Sequence, residues 1–189
     1  FAEGLAAFLE EGRTMARLEH KNVVHVVRCF EANNTAYLQM PYFRGETLLG
    51  LLKRGGALDR EEAMALARPL LDALDPLHRT GVVHQDIKPA NIFITRKGEP
   101  VLIDFGAAET STGKQRGSEG YAAPEQSRAG AALGPGTDIY GLAATLYRCI
   151  GGRIPVAANE RETALASGQG DPLVPLSRLV DPGEFTPLI

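Results

Sequence analysis

The chain has 189 residues, of which 44% are hydrophobic, enough to bury the core of one globular domain or of two small lobes. A formal net charge of -3 without any long basic run argues against a nucleic-acid partner and against binding to anionic membranes. No apolar stretch reaches the ~20 residues of a transmembrane helix and no signal peptide is evident, so a cytoplasmic location is expected. Cys29 and Cys149 lack the spacing of a metal site and are expected to be free, buried thiols.

The first 43 residues predict one helix followed by two strands. Apolar side chains recur at helical spacing over residues 5–18. β-Branched and aromatic residues dominate residues 23–30, residues 35–40 contain the strand formers Thr35 and Tyr37, and the Ala-Asn-Asn sequence at 32–34 is typical of a turn. Pro41 has no N–H to donate to a central strand pairing, so the second strand is expected to end before it.

Helical patterns begin at residue 47. A short helix over residues 47–53 is expected to stop at the two glycines that follow it. Asp59 and Glu62 have the spacing of a capping box, which predicts the start of a long helix that runs to about residue 78. Pro69 lacks the N–H that a helix interior needs, so a bend is expected there.

The stretch HQDIKPANIFITRKGEPVLIDFG, residues 84–106, places two acids, a lysine and an amide around two short apolar, β-branched runs. Asp86 and Asn91 precede the strand-like IFIT, and Asp104 follows the apolar VLI. A turn at residues 97–100 would pair these strands and return Asp104 to the side of Asn91. Carboxylate and amide oxygens, as in Asp104 and Asn91, suit a hard divalent cation, and the other acid, Asp86, can accept a proton.

The chain after residue 106 predicts one helix and two loop regions. Residues 107–120 are small and polar and are expected to form a loop without a core of its own. An apolar helix is expected over residues 138–150, with Thr137 as its N-cap and Gly151-Gly152 as its stop. Four prolines between residues 155 and 182 predict a loop-rich tail.

Together, HxDxKxxN from His84, DFG from Asp104 and APE at residues 123–125 resemble the signature set of protein kinases. The resemblance runs from Leu5 to about Ile189. The runs GYAAPEQ and DIYGLAATLYRCIGGRIP are most similar to bacterial serine/threonine kinases.

The resemblance implies an α+β, protein-kinase-like fold. Residues 1–43 would be a partial small lobe with helix C, two strands and the hinge. Residues 44–189 would be a partial, mainly helical large lobe with the catalytic loop, the activation loop and the central helix.

The resemblance also implies roles for residues around the reacting groups. Asp86 matches the acid that orients the substrate hydroxyl and accepts its proton. Lys88 would neutralise charge on the transferred phosphoryl group, and Ser118 matches the hydroxyl that bridges this acid and this lysine. Asn91 and Asp104 match the two side chains that hold Mg²⁺, or Mn²⁺ in its place.

On the nucleotide side, the resemblance implies a second set of residues. Glu11 matches the helix acid that pairs with the ATP-binding lysine. Met40 matches the gatekeeper, and Pro41 would offer its carbonyl to the adenine amino group. Phe43 would donate its N–H to the adenine ring, and Phe93 would lie beneath that ring.

Two positions outside these sets also have counterparts. Asp138 matches the buried acid that starts the central helix and holds the catalytic-loop backbone. Gln85 stands where many kinases have an arginine that receives the activation-loop phosphate. Because a neutral amide cannot form that charge-assisted pair, we expect activity without phosphorylation of Thr110, Ser111 or Thr112.

Three functions remain open at this point. The first is a serine/threonine protein kinase core that transfers the γ-phosphoryl group of ATP to a hydroxyl of a protein substrate. The second is a pseudokinase or scaffold that binds partners without chemistry. The third is a small-molecule kinase of the aminoglycoside phosphotransferase kind, which shares HxDxxxxN but usually lacks the long polar loop ending in APE.

The chain departs from the family pattern at both ends, which look cut from a longer chain. Neither a Gly-rich phosphate loop nor the strand lysine precedes Phe1, so Glu11 lacks its expected partner. Glu125 is likewise expected to lack the arginine that pairs with it in the family. We therefore expect these 189 residues alone to have reduced stability and little or no activity.

Overall fold

A helix packed against a β-hairpin opens the structure. The computed structural model describes residues 8, 9, 12, 15, 16, 18–104 and 118–181. The described positions between 8 and 16 are all helical, as the spacing over residues 5–18 predicts. A Cβ atom on Gly12 would lie 2.9 Å from Sγ of Cys29, so the glycine allows the helix to approach the hairpin closely.

Strands β1 (Arg28–Ala32) and β2 (Thr35–Gln39) form this antiparallel hairpin, with Arg28 opposite Gln39. Asn33 and Asn34 connect them at φ 52° and 56°. Two-residue hairpin turns require this left-handed backbone, which asparagine tolerates better than most residues. The predicted hairpin is confirmed.

A second sheet joins β3 (Gly45–Thr47), β4 (Ile92–Thr95) and β5 (Pro100–Leu102) in the order β3-β4-β5. Both neighbouring pairs are antiparallel. The predicted pairing of the two strands that flank the turn at residues 97–100 is therefore confirmed.

The predicted strand over residues 23–30 is wrong in its first half. Val24 donates its N–H to the carbonyl of Leu102, and Leu102 donates to the carbonyl of Asn22, both at 2.8 Å. Residues 22–24 therefore run parallel to β5, whereas Val27 already pairs with Gln39 of the hairpin. The valine-rich sequence of residues 23–27 gives no sign that the chain passes from one sheet to the other.

Helices α1 (Leu48–Gly55) and α2 (Arg60–Arg79) follow as predicted. The capping box of α2 is confirmed, because the Asp59 carboxylate accepts from the N–H of Glu62 and the Glu62 carboxylate accepts from the N–H of Asp59, at 2.9 and 3.0 Å. Helix α2 continues through both of its prolines, Pro69 and Pro76.

Helix α3 (Pro135–Gly151) begins three residues earlier than predicted, with Gly134 as its N-cap. Thr137 as N-cap is therefore wrong; it lies in the first turn, where its hydroxyl accepts from the Gly134 N–H at 3.2 Å. Gly152 ends the helix at φ 70°, as predicted. Helix α4 (Ala158–Ala166) corrects the prediction that the tail is loop-rich throughout.

The core lies where α2, α3 and the β4–β5 pair meet, which is consistent with the predicted α+β class. Its innermost side chains have no exposed surface; they are Leu70, Ala73, Ile92, Leu102 and Cys149. Both cysteines are free as predicted, but only Cys149 is buried, because Cys29 is partly exposed on β1. Of the helices that the structure describes, none has the length and apolar character that crossing a membrane requires.

Candidate active site

The three predicted catalytic residues form one closed set of hydrogen bonds, with Asp86 and Lys88 in the loop between α2 and β4 and Ser118 in a later segment. Lys88 Nζ lies 2.5 Å from Asp86 Oδ2 and 2.7 Å from Ser118 Oγ. The Ser118 hydroxyl donates to the other carboxylate oxygen, Asp86 Oδ1, at 2.9 Å. The side chains of Asp86 and Lys88 are 20% and 25% exposed, so this group remains open to a substrate.

Asn91 occupies the last position of the 3-10 turn Pro89–Asn91 and is buried. Its amide nitrogen donates to the main-chain carbonyl and to Oδ2 of Asp86, both at 2.9 Å. An amide nitrogen used in this way leaves the side-chain oxygen, Oδ1, as the atom that can bind a cation.

Asp104 lies beside Asn91, as the predicted hairpin requires. Ile103, the residue before it, donates its N–H to the Asn91 carbonyl at 2.9 Å. Asp104 is exposed and has φ 54°, a left-handed backbone that is uncommon for a residue other than glycine. Such strained positions cluster at functional sites.

The two oxygen donors fit a magnesium ion. Mg²⁺ prefers hard oxygen ligands, and proteins usually supply only one or two carboxylates while phosphate oxygens and water complete the shell. One amide oxygen from Asn91 and the exposed carboxylate of Asp104 match that pattern. Within the described part of the chain, the Asp104 carboxylate has no hydrogen-bond or ion-pair partner that would compete with a cation.

A buried carboxylate in the first turn of α3 holds the backbone of this loop. Asp138 is 1% exposed, and its oxygens accept from the N–H groups of His84 at 2.9 Å and of Gln85 at 2.8 Å. His78, at the end of α2, brings its Nε2 to 2.8 Å from the same carboxylate. The amino-terminal end of a helix also favours a negative charge.

His78 is a contributor that sequence reasoning missed. The available signal was its place in the last turn of helix α2, six residues before His84. The helix dipole favours a histidine at that position, so the sequence alone gives no reason to expect a further role. The contact with Asp138 is visible only in the fold.

His84 is a packed residue of neutral charge. It has no exposed surface, and burial lowers the pKa of its imidazole in spite of the nearby Asp138 carboxylate. Its Nδ1 lies 3.4 Å from the Asp86 N–H and its Nε2 lies 3.3 Å from the Ile103 carbonyl. One acceptor and one donor are what a neutral imidazole offers, so the ring links the catalytic loop to the strand that leads to Asp104.

Helix α3 also packs against the middle of the loop. Ile87 is buried, and its carbonyl lies 3.4 Å from the hydroxyl of Thr145. A Cβ atom on Gly141 would lie 3.0 Å from the same carbonyl oxygen. The glycine therefore sets how closely the helix approaches the residue between Asp86 and Lys88.

On the predicted nucleotide side, Phe43 and Phe93 are brought together, with ring centroids 6.3 Å apart and planes tilted by 43°. Among the described residues, none accepts a hydrogen bond from the Phe43 N–H, so that donor is available to a ligand. Met40 follows β2 and is 48% exposed, and Pro41 is exposed as well. Glu11 lies outside the described residues.

Glu125 has a partner that sequence reasoning did not foresee. The hydroxyl of Thr137 donates to its carboxylate at 2.7 Å. This contact ties the segment after Ser118 to the first turn of α3.

The chain is similar to known protein kinases over most of its length. Residues 2–174 match the family described as "Protein kinase domain". Serine/threonine-protein kinase PknK of Mycobacterium tuberculosis (strain ATCC 25618 / H37Rv) is 39% identical over 169 residues, which cover 85% of this chain and 15% of that protein. Serine/threonine-protein kinase PknA of Mycobacterium tuberculosis (strain ATCC 25177 / H37Ra) is 34% identical over 186 residues, 92% of this chain and 43% of that protein.

A solved structure described as "PpkA-294 apo form" superposes with a TM-score of 0.83 at 32% identity. The superposition covers 98% of this chain and 65% of the other. The chain thus spans less than half the length of these two curated relatives.

Proposed function

Because the chain belongs to the protein kinase family, we propose that it is the catalytic core of a serine/threonine protein kinase, which transfers the γ-phosphoryl group of ATP to a protein hydroxyl. The single observation that supports this most is the set of hydrogen bonds among Asp86, Lys88 and Ser118. It joins an acid, a cation and a hydroxyl from two separate segments of the chain.

In this proposal Asp86 accepts a hydrogen bond from the substrate hydroxyl and takes its proton as the new P–O bond forms. Lys88, already in contact with Asp86 and Ser118, compensates the negative charge that develops on the phosphoryl oxygens. When bound, ATP supplies the phosphoryl group and a divalent cation offsets the charge of its phosphates. Asn91 and Asp104 would hold that cation, Mg²⁺ or Mn²⁺, through their side-chain oxygens.

The nucleotide base would lie at the hinge. Phe43 would donate its N–H, Pro41 would offer its carbonyl, and Phe93 would lie beneath the ring. Met40 and Glu11 complete the proposed nucleotide set. In this arrangement residues 1–43 form the small lobe and residues 44–189 the large lobe.

The compartment proposed for this reaction is the cytoplasm. Both Cys29 and Cys149 are free thiols. Free thiols persist in a reducing compartment, which is also where ATP is abundant.

The contact of Ser118 favours a protein substrate over a small molecule. Ser118 belongs to the segment that ends in Ala123-Pro124-Glu125, and its hydroxyl bonds directly to Asp86. A small-molecule kinase that shares only HxDxxxxN usually lacks this segment. The intact acid, lysine and both oxygen donors also favour an enzyme over a pseudokinase.

The test is phosphotransfer by the full-length protein from γ-labelled ATP to a mixture of serine- and threonine-containing peptides. Asp86→Asn is expected to lower kcat by a factor of about 10² to 10⁴, the usual contribution of a positioned base. Asp72→Asn, an exposed acid on α2, is the matched control and should retain activity. Nucleotide binding without transfer would favour the pseudokinase, and transfer to aminoglycosides but not to peptides would favour the small-molecule kinase.

A further inference from the structure

Gln126 is a buried polar residue in the 3-10 turn Pro124–Ser127, and both halves of its side-chain amide are used. Its Nε2 donates to the main-chain carbonyl of Gln85 at 2.7 Å. Its Oε1 accepts from the N–H of Ala123 at 2.9 Å. One side chain therefore joins the catalytic loop to the segment that carries Ser118.

Gln85 has a strained backbone directly before the proposed base. Its φ is 67°, and a left-handed conformation costs a residue with a side chain roughly 1–2 kcal/mol. The N–H of Gln85 donates to buried Asp138 at 2.8 Å, and its carbonyl accepts from Gln126. Two buried side chains thus hold this residue from opposite ends.

The carbonyl of Gln85 belongs to the same peptide group as the N–H of Asp86. A hydrogen bond that fixes this carbonyl fixes the plane of that peptide, and with it the direction in which the Asp86 side chain leaves the backbone. The segment that carries Ser118 also reaches Asp86, through the Ser118 hydroxyl. The carbonyl of Ser118 accepts from the N–H groups of Tyr121 and Ala122, both at 2.9 Å, so residues 118–122 form one hydrogen-bonded turn, and Ala123 follows it directly.

We propose that Gln126 is a positioning residue that sets the orientation of Asp86 and couples it to the Ser118 segment. This inference rests on the proposed kinase activity. Gln126 is linked to Asp86 in two ways. It binds the carbonyl of the Gln85–Asp86 peptide, and it holds the segment whose Ser118 hydroxyl donates to the Asp86 carboxylate. A carboxamide suits the place because it donates and accepts at the same time.

Gln126→Glu provides a test that a purely structural role would not pass. An ionised glutamate still accepts from Ala123 but cannot donate to the Gln85 carbonyl, whereas a protonated glutamate can do both. Burial raises the pKa of a carboxyl group, so the proton returns within an accessible pH range.

The measurement is kcat and KM of the full-length protein between pH 5.5 and 8.5. Dividing the kcat of the variant by that of the wild type at each pH removes the pH dependence that both proteins share, including that of His84 and Tyr121. The kcat ratio of Gln126→Glu is expected to rise about tenfold or more from the alkaline to the acid end, with KM for ATP within about twofold of wild type.

Two variants and one control complete the experiment. Gln126→Met keeps the approximate volume without either hydrogen bond, so its kcat ratio should be low and independent of pH. Gln126→Asn keeps both polar groups on a shorter side chain that does not reach both partners. It replaces Gln126→Met in the kcat comparison if Gln126→Met does not fold. Gln169→Glu, an exposed position, should match wild type throughout.

A kcat ratio for Gln126→Glu that is flat with pH, in a folded protein with an active wild type, would overturn the positioning role. So would Gln126→Met with wild-type kcat. An inactive wild type would instead refute the proposed function and, with it, any catalytic role of Gln126.

Discussion

The catalytic loop and the hinge contribute to the same proposed reaction but are built in opposite ways. Over residues 84–91, main-chain groups are held by the buried side chains of Asp138, Gln126 and Thr145. Over residues 40–43, Met40 is 48% and Tyr42 is 90% exposed. The groups proposed for chemistry are thus held by the protein itself, whereas the groups proposed for adenine are left for a ligand to satisfy.

Burial explains the difference. A buried N–H or carbonyl must be hydrogen-bonded, and buried side chains do this for the catalytic loop. Preorganised groups need no rearrangement at the moment of reaction, which is where electrostatic stabilisation is most effective. Changes in the loop should therefore alter folding or kcat, and changes at the hinge should alter nucleotide affinity.

The largest effect is expected for Asp138→Ala. The substitution removes the acceptor of the His84 and Gln85 N–H groups and the partner of His78. Because each buried donor left unpaired costs about 1–3 kcal/mol, the free energy of unfolding should fall by about 3 kcal/mol or more. Chemical denaturation measures it, with the exposed Asp72→Ala as control. A loss no larger than that of the control would show that the loop is held in another way.

Phe93→Ala should affect nucleotide binding at the hinge, because the Phe93 ring lies 6.3 Å from that of Phe43. An aromatic contact contributes about 0.5–1.5 kcal/mol, so the Kd for Mg²⁺-ATP should rise by a factor of about 2 to 10 while kcat changes less. Phe30→Ala removes an aromatic pair in the hairpin, where Phe30 stacks on Tyr37 at 5.4 Å, and should leave the Kd unchanged. Calorimetric titration with Mg²⁺-ATP compares the Kd of the two variants. An equal change in Kd for both would show that Phe93 does not contact the nucleotide.

Gly141→Ala should separate activity from stability. The added methyl group would lie 3.0 Å from the Ile87 carbonyl, so the loop must shift by a few tenths of an ångström. Alanine is the better helix former by about 1 kcal/mol, which offsets much of the strain. We expect kcat to fall about tenfold, since small displacements at a reacting centre are costly, with little change in unfolding free energy.

Gly136→Ala is the matched control for that experiment. It lies in the same helix, and a Cβ atom there meets nothing within 4 Å. It should keep wild-type kcat and gain up to about 1 kcal/mol in stability. If the two glycine variants behave alike in kcat, the packing of α3 on the loop does not control the site.

The two cysteines report through their reactivity on the hairpin, which contains Cys29, and on the core around helix α3, which contains Cys149. Burial raises the pKa of Cys149 from 9.0 to about 12, and only the thiolate reacts. Alkylation at pH 8 should therefore modify the partly exposed Cys29 and leave Cys149 intact, as read by mass spectrometry. Because the folded state binds the Cys149 proton more tightly, its contribution to stability is complete below about pH 9 and declines as the pH rises towards 12. Rapid modification of Cys149 would show that the core around helix α3 opens readily.

The smallest effect is expected for the triple substitution of Thr110, Ser111 and Thr112 by alanine. Gln85 offers no charge to an activation-loop phosphate, and its backbone is already held by Asp138 and Gln126. Phosphotransfer by the full-length triple variant should remain within about twofold of wild type. A collapse in rate would mean that a phosphate is needed to order the site.

Local patterns predicted much of this molecule. The Asp59–Glu62 capping box, the Asn33-Asn34 turn and the pairing of the strands that separate Asn91 from Asp104 depend on residues close in sequence, and the structure has all three. The contact of Ser118 with Asp86 was reached through resemblance, because its partners are 32 residues apart.

What escaped prediction depends on distant contacts or lacks a pattern. Helix α4 buries only Ala158, so it presents no apolar stripe from which to infer it. The role of Gln126 requires a partner 41 residues away, and a glutamine on its own indicates a surface residue. Residues 23–30 are rich in valine throughout their first five positions, and nothing local marks the point at which the chain passes from one sheet to the other.

The most direct test of the comparison is amide hydrogen exchange of the full-length protein without nucleotide. If buried Asp138 and Gln126 hold the catalytic loop in advance, the N–H groups of His84 and Gln85 should exchange as slowly as those of helix α3. The N–H groups of Tyr42 and Phe43 should exchange rapidly until Mg²⁺-ATP is added. Rapid exchange at His84 and Gln85, slowed only by nucleotide, would contradict the account.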